Sequence, residues 1–176
     1  MHRRSCHPLW GRRDLARFWP LLAMPWALGM LAGCGQRPLA PIFDYTLLDG
    51  TPQDSRRWLG QVTLVDFWAT TCSICVAEMT HTVALRQRHQ ARGFELLAVA
   101  MSYDAPARVA QFAEARALAF PVIIDNTGAI ARAFGDVRAT PTRFLIDRRG
   151  RVARQWVGTL DVSKLDAEIE KLLAET

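Results

Sequence analysis

The stretch Val65-Asp66-Phe67-Trp68-Ala69-Thr70-Thr71-Cys72-Ser73-Ile74-Cys75 decides how the rest of the chain reads. The apolar run 62–67 has the length and content of a buried strand, and it stops at the small polar turn Ala69-Thr70-Thr71. Two cysteines three positions apart then open a long helical pattern. At a helix start, the free N–H groups of the first turn and the positive end of the helix dipole face the first sulfur and favour its thiolate. The second sulfur lies one turn on, near enough to close a small disulfide ring. This combination points to thiol redox chemistry, with Cys72 as the exposed attacking thiolate and Cys75 as the screened resolving thiol. A zinc site would need four ligands, usually two such pairs, and here there is one pair. A purely structural disulfide is the remaining reading.

Three neighbours of the pair stand out. Asp66 sits in the middle of an apolar strand, where a carboxylate is costly to bury unless it has a partner or a task. Glu78 lies three residues after Cys75, so it shares that side of the helix and is expected to face the active-site surface. There a negative charge would raise a thiol pKa; the alternative is an ordinary solvated carboxylate. Trp68 either shapes a shallow apolar docking surface beside the cysteines or packs in the core. His81 and His89 read as solvated helix residues and are assigned no role.

Beyond this stretch, strand and helix patterns alternate. The spacing predicts strands over 42–48, 94–100, 120–124, 142–146 and 151–157. Helices are predicted from Cys72 to a stop at Gly93, over 105–117, over 129–134 and over 162–173. The first helix is expected to bury Ile74, Val76, Met79, Val83 and Leu85. Asp49-Gly50 and Asp147-Arg148-Arg149-Gly150 read as turns. The pattern is that of an α/β domain with a mixed sheet flanked by helices. It carries an N-terminal strand extension and a central αβ insertion.

The net charge of +5 is unevenly spread. Residues 1–33 hold Arg3, Arg4, Arg12, Arg13 and Arg17 against Asp14 alone, so the rest of the chain is nearly neutral and carries no nucleic-acid footprint. An apolar run over 18–33, broken by Pro20 and Pro25, follows these arginines and is short for a spanning helix, which needs roughly 20 residues. The segment 1–33 therefore reads as a targeting signal, 34–41 as a linker, and 42–176 as the folded domain. Cys6 would leave with the signal.

Leu31-Ala32-Gly33-Cys34 resembles the lipobox of bacterial lipoproteins. That resemblance implies cleavage before Cys34, acylation of Cys34, and attachment to a bilayer facing the periplasm. Gly35 lacks the aspartate associated with inner-membrane retention in enterobacteria, which leans to the outer membrane.

From 42 to 173 the chain resembles thioredoxin-fold proteins, and more narrowly the membrane-tethered TlpA/ResA-like branch. Three anchors carry the resemblance: Val65-Asp66-Phe67-Trp68-Ala69 with Cys72-x-x-Cys75, then Thr140-Pro141-Thr142, then Phe144-Leu145-Ile146-Asp147-x-x-Gly150. It implies that Asp66 relays a proton to or from Cys75. It also implies a cis Thr140–Pro141 bond facing the cysteines, with the backbone of Thr140 pairing with an extended substrate segment. The relatives mostly act as reductants of protein or peptide disulfides, several on apocytochrome cysteines before haem attachment, and draw on a membrane electron donor. No cofactor beyond the Cys72–Cys75 disulfide, no metal and a monomer are expected.

This sequence departs from the family at Ser73-Ile74 between the cysteines, at Thr71 in place of a second tryptophan, and in one extra residue between Gly135 and Pro141. Two other functions share the fold. A peroxiredoxin-type peroxidase needs Pro-x-x-x-Thr-x-x-Cys, but Val65 and Ala69 occupy those places before Cys72. A copper chaperone needs wider cysteine spacing and a distant histidine, and no histidine follows His89.

Overall fold

A computed structural model of the protein describes residues 36–175. The targeting segment 1–33, Cys34 and Gly35 lie outside the described residues. The elements in chain order are β1 (Asp44–Thr46), β2 (Pro52–Asp54), β3 (Val62–Trp68), α1 (Ser73–His89), β4 (Phe94–Ala100), α2 (Pro106–Ala115) and β5 (Val122–Ile124). After them come α3 (Ala129–Ala133), β6 (Thr142–Ile146), β7 (Val152–Val157) and α4 (Val162–Ala174).

Five strands form one mixed sheet in the order β5-β4-β3-β6-β7. β3, β4 and β5 run parallel, whereas β6 is antiparallel to β3 and β7 antiparallel to β6. The central position of β3 explains its composition. With helices on one face and further chain on the other, all seven of its residues are buried.

The period of two along the strands divides the core. Val62, Leu64 and Trp68 of β3 and Leu145 of β6 point to the face covered by α1, α2 and α4. There they meet Cys75, Met79, Val109, Leu165, Ile169 and Leu172. Val65, Phe67, Phe144 and Ile146 point the other way, to α3 and the N-terminal hairpin, against Tyr45, Trp58, Ile130 and Phe134. Asp66 and Arg143, each at an even step from Leu64 and Leu145, therefore fall on the α1 face.

Several expectations change. The N-terminal strand is a separate two-stranded hairpin, β1–β2, and among the described residues the backbone bridge between Leu47 and Ile123 links it to the main sheet. The linker is folded down along β7: Ala40 N–H donates to the Gly150 carbonyl at 2.9 Å, and Val152 N–H to that of Pro38 at 2.8 Å. Arg37 also pairs with Asp147 and Glu175.

The buried stripe of α1 is Cys75, Glu78, Met79, Thr82, Leu85 and His89, so Ile74 is turned outward. His89 is not solvated. Its Nε2 lies 2.7 Å from Asp166 of α4, and its ring packs edge-on against Phe94. Gly93 ends this segment in the left-handed region at φ 90°, where the next strand must turn back under the helix.

Candidate active site

β3 delivers the chain to one end of the sheet, and the turn 69–71 reverses it into α1. That turn is held from the side by Asp104, in the loop after β4. Its carboxylate accepts from the Thr70 N–H and, at 2.7 Å, from the Thr70 hydroxyl. Cys72 then occupies the N-cap of α1, and its sulfur accepts from the Cys75 N–H at 3.2 Å. A seventeen-residue helix thus starts at the first sulfur, which lies in the positive end of its dipole.

The two cysteines are joined as a disulfide with Cα atoms 5.2 Å apart. Cys72 remains partly accessible and Cys75 is buried, the asymmetry that attack by the first and resolution by the second require. Beside them Ile74 is 45% exposed, an apolar contact point on the rim.

Antiparallel pairing of Phe67 with Thr142 brings the start of β6 to the same end of the sheet. One step further, Pro141 comes level with Trp68, and the Thr140–Pro141 bond is cis. Thr140 is half-buried, with its hydroxyl 3.2 Å from that of exposed Tyr103. Trp68 corrects the docking-surface expectation. It is 0% exposed and stacks at a tilt on Phe112 of α2, so its ring is core. The accessible rim is provided instead by Ile74, Tyr103 and Thr140.

Beneath the pair lies a cluster of charge. Asp66 is 4% exposed, Glu78 9% and Arg143 1%. Arg143 Nε is 3.2 Å from Asp66 Oδ2, and its Nη1 is 2.9 Å from Glu78 Oε2. These are close ion pairs, but their N–H groups are not aligned as hydrogen bonds. Glu78 Oε1 accepts from the Leu160 N–H at 3.0 Å. Glu78 therefore turns inward, and the expectation that it faces the active-site surface is corrected. The reason is the guanidinium, which offers a buried carboxylate more than water at a crowded helix flank.

Burial pushes the Asp66 carboxyl up to about 6; Arg143 pulls it down and Glu78 raises it further. A carboxyl releasing its proton in that range can exchange one with a thiol near neutral pH. Cys75 and Glu78 stand one helical turn apart on the same side of α1, and Arg143 joins Glu78 to Asp66. Through Arg143 and Glu78 the carboxyl is thus tied to the buried flank of α1 that also carries Cys75.

Arg143, Asp104 and Tyr103 escape a reading of the sequence alone. A signal for Arg143 does exist: Thr142-Arg143-Phe144-Leu145-Ile146 places a cation mid-strand in an apolar run, as Val65-Asp66-Phe67 places an anion. Among the described residues, no group of three or more His, Cys, Asp or Glu side chains is disposed to hold a metal ion.

The sequence profile of the Redoxin family matches residues 35–169. The thiol-disulfide oxidoreductase ResA of Geobacillus thermodenitrificans is 32% identical over 133 residues, 76% of this chain and 75% of that protein. ResA of Bacillus anthracis is 31% identical over 76% of each chain. Among solved structures, a thiol:disulfide interchange protein of the thioredoxin family from Chlorobium tepidum superposes with a TM-score of 0.72 at 27% identity. That likeness covers 79% of this chain and 98% of the other. With its cysteine pair at the N-cap of α1, a cis-proline alongside and a thioredoxin-like sheet beneath, the chain belongs to the Redoxin family as a ResA-like thiol-disulfide oxidoreductase.

Proposed function

We propose that this oxidoreductase is an exported reductant of protein disulfides, tethered to a membrane of the bacterial cell envelope through a lipid on Cys34. The reading rests chiefly on one observation: a half-accessible Cys72 at a helix N-cap paired with a buried Cys75 above a carboxyl of raised pKa. The Arg-rich leader and Leu31-Ala32-Gly33-Cys34 support export and anchoring. The ResA relatives support thiol-disulfide oxidoreductase chemistry, and the resemblance to the tethered TlpA/ResA-like branch implies the reducing direction, with apocytochrome cysteines as one class of substrate.

In the reduced enzyme, the Cys72 thiolate attacks one sulfur of a substrate disulfide and expels the other as a thiolate. Cys75 passes its proton to Asp66 and attacks Cys72 Sγ. The intramolecular disulfide forms, and the second substrate sulfur leaves. Two electrons pass from the dithiol to the substrate, and a membrane dithiol donor restores the starting state. An extended substrate strand lies along Thr140, between Tyr103 and Ile74. The protein works as a monomer.

Reduction of a protein disulfide by the dithiothreitol-reduced enzyme, with loss of activity in Cys72→Ser and trapping of a mixed disulfide by Cys75→Ser, tests the assignment. A Cys75→Ser variant that captures no substrate would contradict it.

A further inference from the structure

Asp66 and Arg143 face each other directly across the β3–β6 ladder, and Glu78 descends on the same guanidinium from α1. Three ionisable side chains from three elements thus meet in the core below the cysteines. Thiol exchange itself needs two sulfurs and a proton acceptor, not a guanidinium. An arginine cannot shed its charge, and desolvating it is expensive unless carboxylates answer it. Its presence defines what the cluster can hold. With both acids ionised, the cluster carries one excess negative charge; with one acid protonated, it is neutral.

The placement of the ion-pair contacts, together with one hydrogen bond, distinguishes the two acids as seats for that proton. Both oxygens of Glu78 are engaged, one by the Leu160 N–H and one by Arg143. Glu78 Oε2, like Asp66 Oδ1, has no hydrogen-bond partner among the described residues, but Oε2 lies 2.9 Å from Arg143 Nη1. The guanidinium reaches Asp66 at Oδ2, 3.2 Å away, and not at Oδ1. The free seat for a proton is therefore Asp66 Oδ1.

We propose that Arg143 is a positioning residue of the exchange reaction, holding Asp66 and Glu78 as a one-proton cluster and thereby setting the pH above which Asp66 can accept the proton of Cys75. The inference rests on the reading of Asp66 as that acceptor. The proton leaves the Cys75 thiol for Asp66, the Cys75 thiolate forms the bond to Cys72 Sγ, and the Cys72–substrate bond breaks. The departing thiolate is then protonated, directly or through solvent, so protons and electrons balance. The charges acting on Asp66 are Arg143, which favours its ionised form, and Glu78, which opposes it.

The test is the pH dependence of mixed-disulfide resolution, followed by stopped flow on the full chain. Arg143→Gln removes the cation, so the acid limb set by Asp66 moves to higher pH by at least one pH unit, about a tenfold slower step on the limb, as expected for loss of a neighbouring guanidinium. Arg143→Lys restores most of that displacement. Glu78→Gln acts with the opposite sign and moves the limb to lower pH, which keeps the proposal open to refutation if Arg143→Gln does not fold. In an Asp66→Asn background, Arg143→Gln leaves the remaining profile where it was.

A limb that stays in place in Arg143→Gln, with the rate merely scaled at every pH, overturns the proposal and leaves a structural role. So does an equal displacement in the Asp66→Asn background. A profile unchanged by Asp66→Asn itself removes the acceptor on which the proposal stands. A wild-type protein without exchange activity would instead refute the functional reading.

Discussion

Asp66 lies at the centre of the site, and its environment makes a prediction about stability as well as rate. In the folded protein it keeps its proton up to about pH 6, whereas its ordinary value is 3.8. Between these values the native state binds more protons than the unfolded chain, so stability falls as pH rises through that window. The loss is complete above about pH 6 and amounts to about 3 kcal/mol, at roughly 1.4 kcal/mol for each pH unit of displacement. Asp66→Asn should therefore raise the urea midpoint of the oxidised protein at pH 7.5 and leave it almost unchanged at pH 4. A variant destabilised equally at both pH values would show that the carboxyl is not held at an energetic loss. The same substitution should slow resolution by Cys75 while sparing the first attack by Cys72. The gain in stability and the loss of rate would then share one cause.

At the scale of elements, the site is assembled where β3, α1, β6 and the loop after β4 converge. The turn 69–71 has no regular structure to hold it, and Asp104 supplies both missing acceptors for Thr70. Asp104 is nearly fully buried, so Asp104→Ala leaves two donors without a partner. A destabilisation of about 2–3 kcal/mol is expected, with roughly half of it in Asp104→Asn, which keeps one acceptor oxygen. Chemical denaturation reads this directly, and an unchanged midpoint would contradict it.

β3 and α1 are legible in the sequence because an all-apolar run and a cysteine N-cap are local signals. The antiparallel hairpin β6–β7 is equally legible, because Asp147-x-x-Gly150 dictates its turn: Asp147 Oδ1 accepts from the Arg149 and Arg151 N–H groups. The face of α1 is less legible. Its buried stripe contains Glu78 and His89, whose polarity hides the periodicity, and their partners Arg143 and Asp166 lie 65 and 77 residues away in the chain. Trp68 misleads for a related reason: adjacency to the cysteines in sequence says nothing of which face of the sheet its ring takes.

For the whole molecule, the length of chain between anchor and domain matters most. Arg37 is already bound to Asp147 and Glu175, so the described body begins only a few residues along the chain from the proposed anchor. A lipid on Cys34 would hold the domain close against its membrane. Cys34→Ala should remove the acyl mass and move the protein from the detergent phase to the aqueous phase, leaving its disulfide exchange untouched. A wild-type protein without acyl mass would contradict the anchor.

The direction of electron flow also belongs to the whole molecule. Asp66 and Glu78 bring negative charge beneath the cysteines, and Arg143 cancels one of the two, which leaves a residual negative charge that opposes a strongly stabilised thiolate. Ser73-Ile74 adds no cation between the sulfurs. Equilibration of the Cys72–Cys75 couple with glutathione buffers, paired with a thiolate absorbance titration, tests the reductant assignment most directly. A potential nearer thioredoxin's roughly −270 mV, with a Cys72 pKa near or above about 7, is predicted; a potential above about −150 mV with a pKa below about 5 would contradict it.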